Sequence, residues 1–185
     1  MKTSTFITRF GLTAALVICL MGSLSAQSGQ KKNNERPLLP NITFDTIDGQ
    51  EWSLEKNRGK IIVLNFWATW CAPCRTEIPI LVKFADEFEK RGLKVVGVAL
   101  DKDGTDLVKK FIADYKINYP ILIPDADSPF RSIGDLPMTL LIDVEGRMAE
   151  KYVGAVPRDV LRKDIESLIR ESETHAGRTV TSSTR

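Results

Sequence analysis

A single histidine, His175, and only three cysteines, Cys19, Cys71 and Cys74, occur in this chain of 185 residues. The shortage of imidazole argues against a zinc site at the close cysteine pair, because four ligands are needed and the one histidine lies near the C-terminus. It also removes cysteine–histidine nucleophilic catalysis, which needs an imidazole beside the thiol. Surplus charge is missing too. Residues 1–26 hold two cations, Lys2 and Arg9, and no anion, so the remainder balances at 24 Lys+Arg against 24 Asp+Glu. Such a chain has no electrostatic footprint for nucleic acid, and Lys31-Lys32 reads as solvated spacer. No Gly-x-Gly-x-x-Gly follows a strand pattern, so no bound NADPH or flavin is expected, and neither is a metal. Asp101-Lys102-Asp103-Gly104 is no calcium loop: its glycine is misplaced, and Ile112 stands where the bidentate glutamate belongs. Long hydrophobic runs are also absent. The apolar stretch Gly11–Leu20 has ten residues, well short of the roughly 20 that span a bilayer.

What is present begins with a secretory signal. Lys2 and Arg9 give a basic start, the apolar stretch follows, and Ser23, Ser25 and Ala26 supply small residues at its end. Cleavage after Ala26 is expected, with retention as a membrane anchor the alternative. Cys19, preceded by Ile18, reads as a small hydrophobe that leaves with the signal. The protein is therefore expected outside the cytoplasm, periplasmic or otherwise secreted. Residues 27–36 form a polar linker, 37–171 one compact domain and 172–185 a Ser/Thr-rich disordered tail, in which His175 is a solvated residue.

Within the domain, NITFDT and QEWSL flank Asp48-Gly49, a hairpin signal. IIVLNFW (61–67) is almost continuously apolar, as a strand covered on both faces should be. Ile78, Leu81, Phe84, Ala85 and Phe88 then recur at helical spacing up to Gly92. LKVVGVAL is a second buried strand, TDLVKKFIADY an amphipathic helix, and ILI (121–123) a brief apolar run. MTLLID and MAEKYVG pair across Glu145-Gly146, and Pro157 opens a last helix. This order predicts an α/β fold: a central mixed sheet with helices on both faces and an N-terminal β-hairpin.

The strand IIVLNFW delivers Cys71 to the start of a helix, where unpaired N–H groups favour a thiolate. Cys74 lies one turn further in, close enough to close a disulfide. That placement suits exchange chemistry, in which Cys71 attacks a substrate disulfide and Cys74 resolves the mixed species. Ala72 and Pro73 form the loop between them, and Trp70 provides an apolar lip. The alternative is a structural disulfide, but so short a loop constrains the unfolded chain little.

The pattern NFWATWCAPCRTEIP with the downstream LPMTLLIDVEGR resembles the extracytoplasmic TlpA/ResA-like thiol–disulfide oxidoreductases of the thioredoxin fold. The resemblance covers Pro37 to Glu171. It implies a cis peptide bond at Pro137, which shapes the substrate groove beside the cysteines. It also implies a proton-handling role for Glu77, since Asn65 stands where cytoplasmic thioredoxins carry a titratable aspartate. Met138 replaces the usual threonine and is expected to make the groove more apolar; Asp135 stands where glycine is common. The implied function is reduction of disulfides in oxidised client proteins, apocytochrome c among them, by a monomer that draws electrons from a membrane partner. Two alternatives stay open: an oxidant on the same fold, or a binding module with a structural CxxC.

Overall fold

The computed structural model describes residues 35–102 and 104–182, with side chains through residue 175. The expected signal segment and nearly all of the linker lie outside the described residues. Seven strands form one mixed sheet: β1 (Thr43–Thr46), β2 (Glu51–Ser53), β3 (Ile61–Trp67), β4 (Leu93–Ala99), β5 (Ile121–Ile123), β6 (Met138–Ile142) and β7 (Met148–Val153). Among the described residues three α-helices accompany them: α1 (Ala72–Phe88), α2 (Thr105–Tyr115) and α3 (Arg158–Ser182). The strand order is β2-β1-β5-β4-β3-β6-β7.

Every residue of β3 is buried, as its unbroken apolar run requires. It runs parallel to β4 and antiparallel to β6. The steps β3–α1–β4 and β4–α2–β5 move in the same direction along the sheet. Right-handed crossovers therefore place α1 and α2 on the same face. The N-terminal hairpin forms as expected, with Gly49 at φ 77° in its turn. β1 also pairs with β5, a long-range contact that periodicity does not reveal.

Alternate residues of β3 feed two core layers. Ile61, Val63 and Trp67 pack with Cys74, Ile78 and Phe84 of α1, Phe111 of α2 and Leu161 and Ile165 of α3. Ile62, Leu64 and Phe66 enter the other layer with Phe44 and Trp52 of the hairpin. That second face is closed by the 3-10 turn Pro129–Ser132, whose Phe130 stacks on Phe66 at 5.6 Å and meets Phe44 edge-on at 5.3 Å. Such pairs add about 0.5–1.5 kcal/mol each beyond area burial. Helical structure thus covers both faces unevenly, with the three α-helices on one side and short 3-10 structure on the other.

The C-terminal region differs from expectation. α3 continues through Ser182, so residues 172–182 are helical rather than an irregular tail, and His175 is a half-buried helix residue. The hydroxyls that marked this stretch as tail bond back to the preceding turn: Ser172 Oγ to Ile169 O and Thr174 Oγ1 to Arg170 O. Arg36, assigned from sequence to the linker, instead donates to Asp143 at 3.3 Å and Glu171 at 2.9 Å. The guanidinium ties the N-terminal approach to the β6–β7 turn and α3.

Candidate active site

β3 ends at Trp67, and the chain turns through Ala68–Trp70 to set Cys71 at the N-cap of α1. Cys71 and Cys74 form a disulfide with an S–S distance of 2.03 Å. The Cys74 N–H donates to Cys71 Sγ at 3.3 Å, so a helix N-terminal amide faces the sulfur. A negative sulfur there gains about 0.3–1 kcal/mol from the helix dipole. Accessibility separates the pair: Cys71 keeps 4% exposure, whereas Cys74 has none. Around Cys71 the surface is open, with Trp70 66% exposed and Ala72 and Pro73 exposed. Cys71 is thus the more accessible residue of the pair.

The loop before Cys71 is held from two sides. Asp101, buried just beyond β4, accepts from Thr69 N–H at 3.2 and 3.1 Å and from Thr69 Oγ1 at 2.5 Å. Arg75 donates to Thr69 O at 2.8 Å. Arg131 in turn donates to Asp101 O at 2.9 Å. The sequence showed only that residues 101–104 are no calcium loop; the burial of Asp101 and its grip on Thr69 come from the tertiary fold.

Glu77 is 1% exposed, one turn beyond Cys74 on the inner side of α1. It accepts from Asn65 Nδ2 at 2.8 Å and from Val156 N–H at 3.1 Å. Burial pushes its pKa up; the two donors pull it down, but burial prevails. Asn65 Nδ2 also donates to Thr139 Oγ1 at 2.8 Å. Asn65 therefore serves Glu77 as a donor, a role a charged aspartate would not fill. Sequence reasoning missed Thr139, although a polar residue in the apolar strand MTLLID was a visible signal. It had no means of finding Val156 N–H.

The Leu136–Pro137 peptide bond is cis, as the resemblance implies. β6 starts at Met138 opposite Phe66 of antiparallel β3. Pro137 is therefore brought to the end of the sheet from which the cysteine loop leaves. Met138 lies apart from the cysteines. Its side chain packs into the layer with Phe130, Phe66 and Phe44, whereas the cysteines belong to the opposite layer. Strand alternation dictates this, because Thr139 faces the Asn65 side and its neighbour must face away. Leu136, partly buried, touches both layers. Asp135 is exposed.

The AhpC/TSA family profile matches residues 37–165, nearly the whole of the folded domain. A thiol–disulfide oxidoreductase ResA of Bacillus cereus is 28% identical over 166 residues, which cover 86% of this chain and 95% of that protein. The ResA of Bacillus thuringiensis is 32% identical over 125 residues, covering 66% of this chain and 71% of its own. Among solved structures, a thiol:disulfide interchange protein of the thioredoxin family from Chlorobium tepidum superposes with a TM-score of 0.64 at 26% identity. The superposition covers 73% of this chain and 97% of that one. A family match over the domain, relatives of one activity and a closed cysteine pair at the helix start agree: the chain belongs to the AhpC/TSA family and is one of its thioredoxin-fold thiol–disulfide oxidoreductases.

Proposed function

We propose that this oxidoreductase works outside the cytoplasm as a reductant, returning disulfides of client proteins to thiols. In its reduced form the Cys71 thiolate attacks one sulfur of a client disulfide. The client S–S bond breaks, a Cys71–client disulfide forms, and one client thiolate leaves. The Cys74 thiol gives its proton to the Glu77 carboxylate, and the resulting thiolate attacks Cys71 Sγ. The Cys71–Cys74 disulfide forms, and the second client sulfur departs as a thiolate. The client has gained two electrons and the enzyme has lost two, which a membrane partner must restore. Trp70, Ala72, Pro73 and the backbone at Pro137 form the surface on which the client lies, with Leu136 beside it.

The observation that carries the direction is the carboxyl of Glu77 on the buried side of the pair. Strongly oxidising pairs owe their potential to a stabilised reduced thiolate. Here the reduced form gains little: one helix-end N–H faces the Cys71 sulfur, and Cys74 stays a neutral thiol in an apolar layer with an acid one turn away. The pair therefore favours the disulfide and readily gives up electrons. Residues 1–26 supply export by this reading, cleaved or kept as a tether. Among the described residues no helix is long and apolar enough to cross a membrane. Apocytochrome c is the client class the resemblance points to, because its C-x-x-C-H needs both thiols free for haem.

Equilibration with defined thiol buffers tests the direction. A potential near the thioredoxin value, about −270 mV, is expected. A value near about −120 mV would make the protein a disulfide donor and overturn the reading.

A further inference from the structure

The exchange requires Glu77 to hold a proton for part of the cycle, yet its contacts are those of an anion. Oε2 accepts from Asn65 Nδ2 at 2.8 Å and Oε1 from the Val156 N–H at 3.1 Å, so an N–H faces each carboxyl oxygen. A neutral carboxyl adds an O–H of its own, and that donor needs an acceptor. Left without one at a residue 1% exposed, it would be costly. Burial nevertheless favours the neutral form and pushes the Glu77 pKa up.

An acceptor lies one bond rotation away. Asn65 Oδ1 is buried and has no hydrogen-bond partner among the described residues. It belongs to the same planar amide whose nitrogen touches Glu77. Half a turn about Cβ–Cγ exchanges oxygen and nitrogen and leaves the outline of the side chain almost unchanged. Asn65 Nδ2 has a second contact, Thr139 Oγ1 at 2.8 Å, on a residue with no exposure. A hydroxyl accepts or donates as its partner requires. Thr139 thus accepts from Nδ2 in the present orientation and would donate to Oδ1 in the other. One end of the amide is unpaired in either orientation. The titratable groups that face Glu77 are Cys74 on its own helix and, ahead of β5, Tyr119, whose ring lies over Gly97 of β4. Cys74 is held in the disulfide, and burial together with the Glu77 charge keeps the Tyr119 phenol neutral.

We propose that the side-chain amide of Asn65 turns over when Glu77 takes up its proton, and that Thr139 is a positioning residue whose hydroxyl reverses with it. The Cys74 S–H bond breaks and an O–H bond forms on Glu77 Oε2. The contact of that oxygen with Nδ2 gives way to an O–H···Oδ1 bond, and Thr139 changes from acceptor to donor. Loss of the proton reverses both movements. An amide suits this place because it carries a donor and an acceptor on one rotor, which neither a carboxylate nor an apolar side chain does. The proposal rests on the proton-handling reading of Glu77.

Two measurements on the full oxidised protein test it. Infrared titration of the protonated carboxyl band, assigned by its loss in Glu77→Gln, gives the Glu77 midpoint. In nuclear magnetic resonance spectra, cross-relaxation between the Asn65 Nδ2 protons and the Thr139 side chain is expected above that midpoint and should fade below it. Contacts that persist on both sides while Glu77 titrates overturn the turning amide and leave the reading of Glu77 standing. If Glu77→Gln removes no titrating band, that reading fails and the proposal with it. Thr139→Val then separates positioning from packing. A fixed amide loses the same contact in both protonation states, so the midpoint would stay in place. With a turning amide the anion loses more, because an Nδ2 proton is left without an acceptor while Oδ1 keeps the Glu77 O–H. The midpoint is therefore expected to rise by roughly half to one pH unit, the worth of one neutral hydrogen bond, and Thr139→Ser should restore it. An unmoved midpoint in Thr139→Val overturns the role of Thr139.

Discussion

Glu77 brings a carboxyl into a layer of apolar side chains with two donors and no cation (its partners are Asn65 and Val156), and its raised pKa has a sign that stability can report. A carboxyl whose folded pKa exceeds its unfolded value binds protons more tightly in the native state. Its contribution is complete below the unfolded value and is lost as pH rises through the folded one. The urea midpoint of the oxidised protein is therefore expected to fall with pH between the ordinary carboxylate range and Glu77's raised value. In Glu77→Gln this fall should disappear. A constant loss should replace it, since the amide still accepts from one donor but has no charge to draw the other. An unchanged pH slope in the variant would sink the assignment. The sequence made Glu77 visible through its distance from Cys74. It hid Tyr119 and Gly97, because a tyrosine before a short strand and a glycine within an apolar one carry no mark of their meeting across β4.

At the scale of elements, the junction of β3 and α1 is set by β4. Asp101 lies two residues past the end of β4 and holds Thr69, two residues before Cys71. The parallel pairing of β3 with β4 ends at Trp67 opposite Ala99, which brings the two strand ends side by side. Hydrogen bonds to charged groups contribute about 1.5–3 kcal/mol. Asp101→Asn keeps one acceptor and presents an N–H to the other donor, so a loss of about 1–3 kcal/mol in urea unfolding is expected. Once reduced, the variant should also alkylate at Cys71 at a rate unlike that of the parent, since the loop presenting the sulfur is released. Equal rates would show that the loop holds its shape without Asp101. Helix and strand identities were legible here because their periods are strong. The clamp was not, because it joins residues 32 positions apart. Met138 makes a related point: a motif position names the neighbourhood of a site, while strand alternation decides which face the side chain takes.

At the scale of the whole molecule, the sheet order follows from a few local facts. Short βαβ connections with one handedness explain why α1 and α2 share a face, and the hairpins β1–β2 and β6–β7 were readable from their turns. The pairing of β1 with β5 was not, since it depends on a partner far along the chain, and neither was the continuation of α3 past Glu171, where a Ser/Thr-rich composition hides the helix. The three tryptophans are distributed just as unevenly. Trp52 and Trp67 are buried, at 7% and 0% exposure, whereas Trp70 stands 66% exposed beside the disulfide. A disulfide quenches a neighbouring indole, and a solvated indole emits at longer wavelength than a buried one. The protein thus carries its own optical gauge: reduction should brighten the red edge of its emission most, and a client settling on Trp70 should shift that edge back to the blue. Emission that stays constant through reduction, or changes only in its blue component, would place the quenched indole elsewhere. Without any label, the colour of the emitted light would then separate the state of the cysteines from the occupancy of the surface around them.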